Sequence, residues 1–328
     1  MRPVPLGPNL PRSFYRGSGA IHRLRGTVDD GDRYRPEDWI ASTTSRFGRG
    51  DGRSRLPDGT LLADAIAADP VSWLGPDRGS EPALLVKLLD AGQRLPLHVH
   101  PDRGFAAAHL HSGYGKTEAW IIVNAEPDSA VYVGFNRDVG DEELAKWVAA
   151  GDTAAMFGVT NRISVRPGDA LLIPARTPHA IGNGLLVLEL QEPTDFSVLL
   201  EWGGFDIDGR TDGHLGLGFT TALQTVDRSV WGAERLAALR GPGTALRPGV
   251  NRVLPAAADP FFVAELCENG AELEPAFAVL VVISGAGELA AADGATPLRT
   301  GSTVVIPYAA GPTQLHGELR AIRCLPPR

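Results

Sequence analysis

Short apolar runs, mostly a handful of residues long and bounded by Gly, Pro, Asn or Asp, recur over most of the chain. They include ALLVKLLDAG at 83–92, TEAWIIVNA at 117–125, SAVYVGF at 129–135, RISV, ALLIP, LLVLELQE at 185–192 and FSVLLEW at 196–202. Runs of this length and punctuation predict β-strands. The last quarter continues in the same way with FFVAELCE, AELE, AFAVLVVIS, GELAAA, TVVIP and LRAIRCL. Helical periodicity is confined to a few places. Leu61, Leu62 and Ile66 predict one short amphipathic helix with Thr60 as its N-cap candidate, broken before Pro70. Residues 141–158, DEELAKWVAAGDTAAMFG, predict a helical insert of two short helices capped by Asp141 and Asp152. TTALQTVD and WGAERLAALRG predict two more helical pieces. Residues 1 to about 35 mix Pro, Gly and Arg without a period and predict irregular chain. A Pro/Gly break at 241–249 divides the chain into residues 1–240 and 250–328.

Chemistry concentrates between Gly92 and Glu118. His98 and His100 stand two apart, so on a strand both imidazoles face one side. Glu118 opens another apolar run, and His179 follows the strand ALLIP and a Pro-rich turn, which together predict a mixed nitrogen and oxygen metal site. Lys116, two residues before Glu118, shares its face. Lys87, the single charge in its run, either snorkels at a strand end or points into a polar cavity. The spacing resembles the two-part pattern of the cupin fold: Gly92, His98 and His100, then Gly168, Pro174 and His179. The pattern recurs downstream with its ligands gone. Gly270 matches Gly92, Ala276 and Ala278 stand at the two histidine positions, Gly301 and Pro307 match Gly168 and Pro174, and Pro312 replaces His179. The fold expected is therefore mainly β: two cupin-type jelly-roll barrels with a helical insert and short helices, the first barrel (1–240) catalytic and the second (250–328) degenerate and without metal ligands.

Composition narrows the partners. A net charge of −8 without Lys/Arg clusters argues against nucleic acid and anionic membrane surfaces. No apolar run approaches the roughly 20 residues of a membrane span and the N-terminal stretch lacks an apolar centre, so a cytoplasmic protein is expected. Cys267 and Cys324 lie within strand-like runs and predict buried small hydrophobes, not a disulfide framework.

LLVKLLDAGQRLPLHVHPD, GKTEAWIIVNA, RPGDALLIPARTPHAIGNG and LVLELQEPTD, supported by PEDWIAST and GSTVVIPYAAGPTQLHG, make the chain resemble the type I mannose-6-phosphate isomerase family in its short bacterial form. The resemblance implies one zinc ion, or another divalent metal, held at His98, His100, Glu118 and His179. It implies interconversion of an aldose and a ketose 6-phosphate by proton transfer between C1 and C2, with Lys116 and Glu118 catalytic. That chemistry needs a Lewis acid and a base of moderate pKa. His98 stands where the family usually has Gln. Pro96 and Leu199 stand where it has a Ser and an Arg linked to the sugar phosphate, while Asp195 keeps the acidic position. Arg103 and Arg176 are the replacement anion ligands expected from sequence, with Lys87 and Asp195 as further substrate-binding candidates. His109 and His111 are candidates for proton handling. The ligand is a small sugar or sugar phosphate, and the oligomeric state is left open. An isomerase of an unphosphorylated or different sugar, a cupin oxygenase using iron or manganese, and a non-catalytic carbohydrate-binding cupin are the alternatives.

Overall fold

A computed structural model describes residues 1–328. Its β-strands form three sheets, and none closes into a barrel. The first sheet orders its strands Glu37–Ile40, Leu85–Ala91, Leu185–Gln191, Glu118–Ala125, Ala170–Ile173, and the second Val198–Leu199, His98–Val99, His179–Ile181, Ala130–Phe135, Thr160–Ser164. All neighbours within them are antiparallel. The two barrels expected from the repeated pattern are thus corrected to open sheets. Closure requires an unbroken ladder around the ring, and here the edges stop. The first sheet ends at Glu37–Ile40 and Ala170–Ile173 and the second at Val198–Leu199 and Thr160–Ser164, and no two of these edge strands pair.

The first sheet is buried on both faces, which is why its strands read as near-continuous apolar runs. Val86, Leu88, Leu186 and Leu188 pack with Phe262, Phe277, Val279 and Ile322 of the C-terminal sheet. On the opposite face Leu89, Trp120 and Val187 meet Val131, Val133 and Ile181 of the second sheet. The insert at 141–158 forms helices Asp141–Ala150 and Thr153–Gly158, whose Leu144, Val148 and Met156 cover the second sheet's outer face. Asp152 caps the second helix by accepting from Ala155 N. The first is capped by Gly140 without a side-chain bond, so Asp141 is its first residue and not its cap. Pro70 starts a second short helix, Pro70–Leu74, instead of merely ending the one before it. Thr60 caps neither, since Leu61 holds the N-cap position of Leu62–Ala68.

The third sheet has ten strands and is built around Ala278–Ala291, whose first half pairs with Thr303–Ile306 and Leu319–Leu325 and whose second half pairs with Gly294–Arg299 and Thr313–His316. Its edge is completed by Val4–Pro5, with Val4 opposite Val305. Arg25 ties these parts together. Its buried guanidinium meets the Asp38 carboxylate at 3.3 Å and donates to Thr303 Oγ1, the Gly301 carbonyl and the Leu6 carbonyl. No helix is long and apolar enough to cross a membrane.

Candidate metal centre and active-site cleft

Three imidazoles converge at the inner face of the second sheet. Antiparallel pairing sets His98 directly opposite His179, with ring centroids 4.2 Å apart, and His100 follows on the same face with its ring 4.8 Å from each. All three are buried, and one nitrogen from each lies within 4.8 Å of the others. Glu118, the first residue of its strand in the facing sheet, brings its carboxylate to 2.9 Å from His100 Nε2 and 3.3 Å from His179 Nε2. Trp120 Nε1 donates to Glu118 Oε1 at 2.9 Å and orients it.

The outer nitrogens fix the tautomers. Nδ1 of His98, His100 and His179 lies 2.8, 2.7 and 2.7 Å from the carbonyls of Pro96, Phe196 and Thr177. A carbonyl only accepts, so each Nδ1 carries the proton and each Nε2 turns a lone pair inward. Burial, reinforced by the neighbouring imidazoles and Lys116, holds His98 well below the ordinary imidazole range, and burial and Lys116 push His100 down to about 3. Burial opposes charge on Glu118, but Lys116 and the imidazoles outweigh it and hold the carboxyl well below its usual range. His179 Nε2 and Glu118 Oε2 are buried without a hydrogen-bond partner. Lone pairs facing a carboxylate in a dry site need a cation, and three nitrogens with one oxygen are a donor set suited to a divalent metal. The residues therefore fit a metal ion.

Lys116 also reaches this centre. Its Nζ lies 2.9 Å from His100 Nε2 and 3.2 Å from Glu118 Oε2. Its backbone donates to the Pro101 carbonyl, and Gly115 lies so close to the His100–Pro101–Asp102 turn that an added Cβ would fall 2.6 Å from that carbonyl.

The centre lies at one side of a cleft of about 1230 Å³ between the two sheets. Across the first sheet, Trp39, Lys87, Glu189 and Trp120 form one cross-strand row. The Lys87 ammonium lies over the Trp39 ring at 4.3 Å, with Glu37, Glu189 and Asp195 at 3.8, 3.8 and 3.9 Å. Lys87 thus points into a polar cavity. Burial alone would lower its pKa, but Glu37, Glu189 and Asp195 outweigh that and raise it. Glu189 is pushed up to about 8 by burial and by the charge on Glu118, so it is the neutral member of the group near pH 7. Burial also raises Asp195, whose Oδ2 accepts from Phe47 N at 3.1 Å.

Not every residue singled out from the sequence reaches the cleft. Arg103 donates to Glu192 at 2.5 Å and to the Pro260 carbonyl, and Glu192 in turn accepts from Thr117 N. Arg176 donates to the Thr225 and Gln224 carbonyls. Neither lines the cleft, and His109 and His111 are exposed outside it. Pro96 and Leu199 do line it, Leu199 opposite His98. Glu37, Trp39 and Glu189 were not singled out. Glu189 had a readable mark, a lone carboxylate inside LLVLELQ, the counterpart of Lys87 inside LLVKLLD.

No protein-family model matches the chain. It is 36% identical over 128 residues to the mannose-6-phosphate isomerase ManA of Bacillus subtilis, covering 39% of each chain. It is 33% identical over 149 residues to the mannose-6-phosphate isomerase of Streptococcus mutans, covering 45% of this chain and 44% of that one. The aligned segment spans less than half the length of either relative. The crystal structure of the mannose 6-phosphate isomerase from Bacillus subtilis superposes with a TM-score of 0.79 at 24% identity, covering 99% of both chains. Sequence similarity over part of the chain and a shared fold over nearly all of it agree: over the matched residues the chain is similar to mannose-6-phosphate isomerases, and its fold is that of the Bacillus subtilis enzyme.

Proposed function

We propose that the protein is a metal-dependent aldose–ketose isomerase that interconverts mannose 6-phosphate and fructose 6-phosphate. The observation that carries this reading is the placement of Lys116 Nζ against His100 Nε2 and Glu118 Oε2, inside a buried three-histidine centre that opens on a sugar-sized cleft. His98, His100, Glu118 and His179 would hold the metal, which we take to be zinc from their nitrogen-rich set. When bound, the ion supplies a Lewis acid to a sugar oxygen.

Lys116 is the group that moves the proton. Its amine stands beside the metal ligands, where it can take the proton from C2 of the aldose and return one to C1 of the ketose. Glu118 serves as ligand and as Lys116's partner. The Lys87, Glu37, Asp195 and Glu189 group, with Lys87 seated over Trp39, offers donors and acceptors to the sugar hydroxyls, Glu189 as a neutral acid that can donate. Arg103 acts indirectly: through Glu192 it braces Thr117, between Lys116 and Glu118.

A coupled assay on mannose 6-phosphate, with metal content measured on the same sample, tests the reading. Isomerisation should require the metal and exchange solvent hydrogen into C2. Metal-replete protein that yields no ketose and no exchange would reject it. Consumption of oxygen with a sugar substrate would identify an oxygenase instead.

A further inference from the structure

The cleft is electrically divided. Asp206, Asp208 and Asp212 line it from one segment, and Arg12, Arg46 and Arg49 line it from two others. Pro96 and Leu199, next to the metal centre, offer no donor. A dianion is disfavoured among three carboxylates and favoured beside the arginines.

The arginine lining is constructed. Arg46 directs Nε and Nη2 to the two oxygens of Asp51, at 2.8 and 2.6 Å, and Nη1 to the Arg12 carbonyl, so its own donors are largely committed to clamping segment 11–15 to the 46–51 turn. The turn closes through Arg49 N to the Arg46 carbonyl, with Gly48 at φ +67°. Phe47 N donates to Asp195, whose carboxylate contacts Lys87, which links the turn to the sugar-facing group. What remains uncommitted is charge at the rim. Arg49 has no ion-pair partner, and exposed Arg12 meets Asp32 through Nη1 alone, leaving Nε and Nη2. The first 55 residues hold eleven arginines against six carboxylates, in a chain of net charge −8. The positive charge is thus gathered on the segment that forms this mouth.

We propose that Arg12 and Arg49, on the two segments that Arg46 clamps together, form the anion subsite of this chain and receive the phosphate of the sugar substrate. The inference rests on the isomerase reading for its substrate. It departs from Arg103 and Arg176, which are engaged elsewhere. Guanidinium groups suit the task because they present paired donors to phosphate oxygens.

The test is a kinetic comparison of wild type with Arg12→Ala/Arg49→Ala, substitutions at exposed rim positions, using mannose 6-phosphate and free mannose, together with calorimetric titration of inorganic phosphate into both proteins. The double variant should raise KM for mannose 6-phosphate by about tenfold to a hundredfold, leave kcat within about threefold, leave free mannose unchanged, and weaken inorganic phosphate to a similar degree. The Arg103→Ala/Arg176→Ala protein should not reproduce this split. An unchanged KM for the phosphorylated sugar, or equal losses on both sugars, overturns the subsite. A wild type that isomerises neither sugar would defeat the isomerase reading instead. The subsite is then decided by phosphate binding alone, supported if the double substitution abolishes it and overturned if titrations match.

Discussion

Replacing Arg25 by Met removes a cation that joins the active-site sheet to the C-terminal sheet while keeping most of its apolar stem. In the intact protein the guanidinium, 6% exposed, faces Asp38, which is 0% exposed and otherwise accepts only from Asn9 N at 2.8 Å. Arg25→Met leaves that carboxylate buried without its counter-charge and frees the carbonyls of Leu6 and Gly301 and the hydroxyl of Thr303. Breaking a buried ion pair by removing one partner costs about 3–5 kcal/mol, and that is the loss expected near pH 8. Burial already raises the Asp38 pKa, with Arg25 as the main opposing influence, so the substitution should raise it further. A carboxyl whose folded pKa lies above its unfolded value of about 3.9 contributes stability that is fully present below the unfolded value and is lost as pH rises through the folded one. The penalty of Arg25→Met should accordingly be smaller at pH 5 than at pH 8, and Asp38→Asn added to it should recover about 1–3 kcal/mol at pH 8 by removing the unpaired charge. Urea midpoints of the three proteins at both pH values measure this. A loss below about 1 kcal/mol, or one equal at pH 5 and pH 8, would refute the assignment of Arg25–Asp38 as a dry, charge-compensated joint.

Metal analysis of purified protein should find one divalent ion per chain, and His100→Ala or His179→Ala should strip most of it by cutting the donor set below four. Trp120→Phe, which removes the donor to Glu118 Oε1 along with part of a buried ring, should weaken metal affinity by about 10–100-fold in a chelator competition while the fold persists. Lys116→Met should cut kcat by at least about a hundredfold with metal content unchanged, and near-normal turnover would remove Lys116 from the proton transfer. Gly115→Ala should lower turnover without removing a polar group, because the new Cβ would force Lys116 away from the Pro101 turn; wild-type kcat in that variant would show that the turn yields freely.

The three-histidine cluster was legible in the sequence because it rests on strict geometry: alternation puts His98 and His100 on one face, and the Gly–Pro turns bring His179 opposite them. Lys87 stood out for a related reason, as one charge where every neighbour had to be apolar. Glu189 carried the same mark across the ladder and went unread, since its meaning depends on the register that sets it opposite Lys87. Barrel closure was not legible. Periodicity says which face is buried but not whether two edges meet, and here the edge strands of the first two sheets do not pair. Arg103 and Arg176 lie outside the cleft, because proximity to a ligand turn says nothing about where a long side chain finds its partners. Arg12 and Arg49 escaped notice because they lie in irregular chain, where no period indicates direction.

Pairing Val4 with Val305 has a consequence for how the chain is made. The anchoring strand of the segment carrying Arg12 finds its partner only after about three hundred further residues have been synthesised. Contacts so distant in sequence form slowly, so the metal-binding sheets can assemble around their own core while the mouth of the cleft still waits for its frame. Late docking of this strand should appear as a slow refolding phase that restores substrate affinity after metal binding has already recovered, and deletion of residues 1–6 should abolish that phase.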